Sequence, residues 1–196
     1  MTAKLIESPP FAPSLLWYSL WLQAAAAGGE GFDFAGSERF AKRDFARCLI
    51  AGNGSKEIML TVPVAGGSRS LKKNVPPASL ELSSHGNWRH IHLGAIEASY
   101  GRKPCFCHLM PAIERVYDNE FSFLGEFNIA IHEALSAFLL QGCEPRMLLA
   151  EMKKNETAKE RGSEIAAVSD PSLSLIDALM RYGPETVLAL LALKCQ

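Results

Sequence analysis

Apolar positions recur along this chain with two different spacings. In the C-terminal half they return every three to four residues. In the N-terminal half they come as short runs split by Gly, Pro and Asn. The first spacing predicts amphipathic helices and the second predicts short strands and turns. The longest helical pattern covers 121–141, where Leu124, Phe127, Ile131, Leu135, Phe138 and Leu139 share a face with one polar residue, Asn128, and Gly142 closes it. A second helix is expected from Trp88 to Tyr100, after an Asn87 N-cap. Its inward stripe holds Trp88, Ile91, His92, Ala95, Ile96, Ser99 and Tyr100. Gly101 in a left-handed conformation and Pro104 would end it. The stretch 106–117 reads as a further helix with Pro111 in its first turns.

At the N-terminus, Pro13 and Ser14 open an apolar helix that runs to about Ala27 and stops at Gly28-Gly29, with Leu15, Tyr18 and Leu22 inward. Near the C-terminus, Asp170 followed by Pro171 reads as another helix start, with Leu173, Ile176 and Leu179 inward. Gly183-Pro184 separates it from a last short helix ending at Leu193. Among the strands, 47–51 and 56–64 form a hairpin around Asn53-Gly54, and Pro63 puts the end of the second strand at a sheet edge. Shorter strands are expected at 4–7, 31–35 and 79–82, and a turn or short helix at 37–45. Residues 148–168 are rich in Lys and Glu and poor in apolar periodicity. They are expected as a mobile or partly helical linker before a C-terminal helical pair at 169–194. These elements predict one α+β domain over 1–196. In it a small mixed β-sheet from the N-terminal half is covered by helices from the C-terminal half.

Composition narrows the function classes. The chain has 196 residues, 48% of them hydrophobic, enough for one packed core. Twenty basic residues stand against 21 acidic ones with no basic block, so no nucleic-acid partner is expected. The apolar run at 14–23 is too short to cross a bilayer, and Glu7, Pro9, Pro10 and Pro13 precede it. It reads as an internal helix rather than a signal peptide, and no membrane insertion is expected. Cys48, Cys105, Cys107, Cys143 and Cys195 are odd in number and scattered, as buried thiols of a cytoplasmic protein would be.

The candidate chemistry is sparse. His90, His92, Cys105, Cys107 and His108 look like a metal set, but residues i and i+2 of a helix point about 200° apart. No metal is expected. Cys105 or Cys107 could pair with His92 as nucleophile and base only if the fold brought them together. The chain has no Walker loop, GxGxxG, HExxH or GxSxG, and no motif names a cofactor. Lys42, Arg43 and Arg47 form a cationic cluster suited to a phosphate or carboxylate, or else a solvated face. His92, on an apolar stripe, is either an acid–base group or a core histidine with both nitrogens satisfied.

Several stretches, in order, resemble the WbqC-like family: PPFAPSLLWYSLW, KRDFARCLIAGNGSKEIMLTVPV, GNWRHIHLGAIEASYGRKP, FLGEFN and SLSLIDALMRYGPE. The chain departs from the family pattern at Ala46, where Asn precedes the Arg, at Leu93, where Trp follows the His, and at Cys105, where an aromatic stands. The resemblance implies surface-polysaccharide (O-antigen) precursor biosynthesis. The first expectation is an enzyme of that pathway that transfers a group onto a sugar nucleotide. In that reading Lys42, Arg43 and Arg47 hold an anionic small molecule, His92 is the acid or base, and Tyr100 and Asn128 orient it. His92 and Arg47 should then line one pocket. A non-catalytic binding protein using that pocket tolerates a sealed His92. A third possibility is an assembly factor whose helical C-terminus docks a partner.

Overall fold

The structure, a computed structural model, describes residues 8–26, 45–52, 56–66 and 76–193. The expected strands at 4–7 and 31–35, the Asn53-Gly54 turn, Lys42 and Arg43 lie outside the described residues. The architecture is α+β. Its sheet is one antiparallel pair, β1 (Arg47–Ala51) with β2 (Glu57–Thr61), in a register that sets Arg47 across from Thr61 and Leu49 across from Met59. The expected mixed sheet is thus antiparallel among the described residues. The strand at 79–82 shrinks to bridges, Val64 with Leu82 and Glu81 with Phe123. Pro63 has no N–H to carry the ladder onward.

Eight α-helices are described. They are α1 (Leu15–Ala26), α2 (Trp88–Tyr100), α3 (Phe106–Asp118), α4 (Leu124–Leu140), α5 (Pro145–Lys154), α6 (Glu156–Val168), α7 (Leu175–Tyr182) and α8 (Thr186–Ala192). α4 follows its pattern closely. Leu124, Phe127, Asn128, Ile131, Leu135 and Leu139 are buried, and the Glu126 carboxylate accepts the N–H groups of Ser122 and Phe123 at its start. Its end is carried by Gln141 at φ 47° before Gly142 at φ 79°.

α2 is less immersed than its stripe implied. His92, Ile96 and Tyr100 are buried, while Ile91 is 63% exposed. Gly101 stays right-handed, at φ −55°. The helix ends in a turn, Lys103 N–H to Tyr100 O, before Pro104.

Residues 148–168 carry two helices where the sequence reading put a linker. A narrow stripe suffices to hold them. Met152 and Ile165 are buried, and Gly162 brings α6 against the backbone of α8 at Leu188. The start of α7 also moves. Ser174, not Asp170, is its N-cap, accepting the Ile176 N–H, while Asp170 holds the turn at Ser172.

The two ends of the described chain are tied by exchange. Leu15 N–H donates to Leu173 O and Leu175 N–H donates to Pro13 O, so each segment satisfies the first amide of the other's helix. Ser14 and Ser174 form an antiparallel bridge between them. Ser174 N–H also donates to Leu49 O, which fastens this junction to the outer edge of β1.

Candidate functional site

β1 alternates its side chains. Cys48 and Ile50 are buried, while Arg47, Leu49 and Ala51 are half-buried on the other face. That second face, with Met59 from β2, forms one wall of a groove of about 360 Å³. The opposite wall is the exchanged junction: Pro10, Ala12, Pro13, Ser14, Leu16, Pro171, Ser172 and Ser174. Arg47 is the only charged residue in the described lining. Its Nε is buried without a hydrogen-bond partner among the described residues. Ala12, also in the wall, is fully buried with φ at 37°, a conformation costly for a residue with a Cβ.

His92 lies beneath the hairpin and is not part of this lining. It is 3% exposed and ringed by Phe11, Trp88 and Tyr117. Nε2 is 3.1 Å from Thr61 O, and Nδ1 is 3.0 Å from the Tyr117 hydroxyl. A carbonyl only accepts, so Nε2 donates, and Nδ1 takes the Tyr117 proton. Burial pulls its pKa down to about 4, against a smaller upward pull from the Thr61 carbonyl. His92 is therefore a neutral histidine with both nitrogens in use. Neither described groove is lined by both His92 and Arg47, although Arg47 pairs with the very residue whose carbonyl His92 holds.

Tyr100 is likewise sealed, at 0% exposure. Its hydroxyl accepts the Ala51 N–H at 3.0 Å, closing the free edge of β1, with the Asp177 carboxylate close enough to act on it. Burial and then the Asp177 charge hold its pKa well above the usual value. Asp177 is paired in turn with Arg181 at 3.0 Å. Asn128 donates through Nδ2 to Pro9 O and Phe45 O at 3.0 and 2.9 Å. It thus reaches facing backbone, as a lone amide on an apolar stripe must.

Of the sequence candidates, then, Arg47 faces the groove, and His92, Tyr100 and Asn128 hold the surrounding frame. The sequence reading missed Ser174. Its signal was the Ser-x-x-Asp spacing to Asp177 before an apolar run, overshadowed by Asp170-Pro171. It also missed His132, whose Nδ1 is 3.0 Å from the Tyr18 hydroxyl in a cluster with Trp17 and Trp21, and whose pKa burial lowers to about 4.

Cysteines contribute no site. Cys48 is buried, but Cys107 and Cys143 are exposed, contrary to the expectation of buried thiols. No group of three His, Cys, Asp or Glu among the described residues could hold a metal ion. No described helix is long and apolar enough to cross a membrane. A second groove at the start of α2 is more polar. Asp118 and Glu120 line it, and its arginine, Arg89, is spent on the carbonyls of Tyr117 and Asn119.

A model of the WbqC-like protein family matches residues 30–169. The match takes in the hairpin and α2 to α6, and leaves out the two exchanged segments that complete the Arg47 groove. No curated protein and no solved structure matches the chain.

Proposed function

From the premise that the chain belongs to the WbqC-like protein family, we propose that it binds an anionic small molecule, such as a sugar nucleotide, in the groove headed by Arg47. The carrying observation is the Arg47 guanidinium. It lines a concavity with no other charge in its described lining, and its buried Nε has no partner among the described residues. A buried donor without an acceptor costs free energy that a ligand carboxylate or phosphate would recover. The second groove fits an anion less well, because its carboxylates repel one and its arginine is committed.

In this reading the protein is a ligand-binding component of surface-polysaccharide (O-antigen) precursor assembly, cytoplasmic and without a nucleic-acid partner. The pathway comes from the family resemblance. Binding is favoured over turnover because His92 and Tyr100, the residues that would do acid–base work, have their polar atoms engaged under the hairpin.

Thermal melts with a panel of nucleoside diphosphate sugars, simple phosphates, carboxylates and alkyl phosphates test it. A ligand that binds only the folded state raises the melting temperature by mass action. The expected result is a concentration-dependent rise that Arg47→Met removes and His92→Gln keeps at equal ligand excess. A rise that survives Arg47→Met, or none with any anion, overturns the reading. Substrate turnover lost in His92→Gln while binding persists would restore the catalytic alternative.

A further inference from the structure

We propose that the groove takes an amphipathic anion, a single carboxylate or phosphate head carried on a hydrocarbon chain. This rests on the anion-binding reading of the same groove and narrows its ligand. Beyond the arginine and three serines, the walls are apolar, with Pro10, Pro13, Leu16, Leu49, Met59 and Pro171. Leu16 is 37% exposed and Met59 54% exposed, so two large apolar side chains of the lining stand in water. Covering them with hydrocarbon is favourable in proportion to the area removed from water.

The polar equipment matches one compact anion. Ser14 and Ser174 are bridge partners, so their side chains leave the same side of the junction. Each Oγ accepts a helix amide, from Trp17 at 3.3 Å and from Ile176 at 3.3 Å. Neither hydroxyl donates to any acceptor among the described residues, so each proton is available. Ser172 is spent, donating to Asp170 at 2.7 Å. The donors are thus one guanidinium fork and two hydroxyls. A sugar nucleotide asks for more: charge for a pyrophosphate and polar partners for a base and two sugars. The described lining has no acidic or amide side chain and no aromatic ring to meet them.

The experiment is calorimetric titration of the full chain with hexanoate, octanoate, octyl phosphate, inorganic phosphate and UDP-glucose, the alkyl probes below their micellar concentrations. The octyl anions should bind at one site per chain. Affinity should rise from hexanoate to octanoate by up to about fourfold per methylene. Inorganic phosphate and UDP-glucose should bind at least about tenfold more weakly than octyl phosphate. Whichever octyl anion binds tighter identifies the head group. Arg47→Met should weaken both octyl anions about tenfold or more. Met59→Ser, at an exposed position, should shrink the gain per methylene. If Arg47→Met does not fold, Arg47→Lys keeps the charge without the fork and should show a smaller loss of the same kind. UDP-glucose binding through Arg47 with no chain-length effect overturns this inference and leaves the anion groove standing. No binding by any anion overturns both.

Discussion

Three polar side chains, His92, Tyr100 and Asn128, lie in the core at 3%, 0% and 1% exposure, and each holds a different piece of backbone. His92 carries a titration consequence. Its pKa is about 4 in the fold against an ordinary 6.5, because burial disfavours the imidazolium. Between these values the unfolded chain binds the proton and the folded chain does not. Stability is therefore full above the ordinary value and falls as pH drops through the window, by about 3 kcal/mol in all. His132 titrates with the same sign. Urea melts at pH 7.5 and 4.5 should show a smaller loss for His92→Gln than for the parent. An identical loss would mean that His92 is charged in the fold. Asn128 ties Pro9 and Phe45 to α4. Asn128→Leu strands both carbonyls and should cost about 1–3 kcal/mol. A raised melting temperature in that variant would contradict the structural role. That Asn128 would need a partner was legible from its apolar neighbours alone. Which partner was not, since Pro9 and Phe45 lie far away in sequence.

Among the elements, α6 against α8 shows how a glycine can outweigh helix propensity. Ala is favoured over Gly inside a helix by up to about 1 kcal/mol. A Cβ at Gly162, however, would fall 2.6 Å from Leu188 O, a backbone atom that cannot swing aside. Overpacking of that kind costs about 1–3 kcal/mol. Gly162→Ala should therefore lower stability by about 1 kcal/mol net, and the melting temperature by about 2–4 °C. A stabilised variant would show that the helices can separate without cost. The exposed pairs of Arg161 with Glu164 and Glu185 add little, because both partners stand in solvent. The sequence reading took 148–168 for a linker because it weighed charge density. Two well-placed apolar residues and one glycine were enough to make it helix. The reading of α4 succeeded because its stripe is wide and repeats over four turns. On α2, Ile91 belongs to the periodic set but stays exposed.

At the scale of the whole molecule, the exchanged amides of Leu15 and Leu175 make the C-terminal helices part of the same cooperative unit as the N-terminal segment. A chain ending at Ser169 loses the partners of Leu15, Leu16 and Leu49, and with them Leu175, Ile176 and Leu179 of the core. It should show no cooperative thermal transition by circular dichroism. A transition near the parent temperature would mean that residues 8–169 fold alone. The sequence by itself determined the α+β class, the hairpin of 47–51 with a strand inside 56–64, most helix bounds and the family, because periodicity, turn residues and local motifs act over a few neighbouring positions. Only the tertiary structure decided which polar residues became frame and which faced a groove. It did so by joining segments some 160 residues apart, Ser14 beside Ser174. Burial and partner choice are set by what packs on a residue from far along the chain, and no local pattern records that.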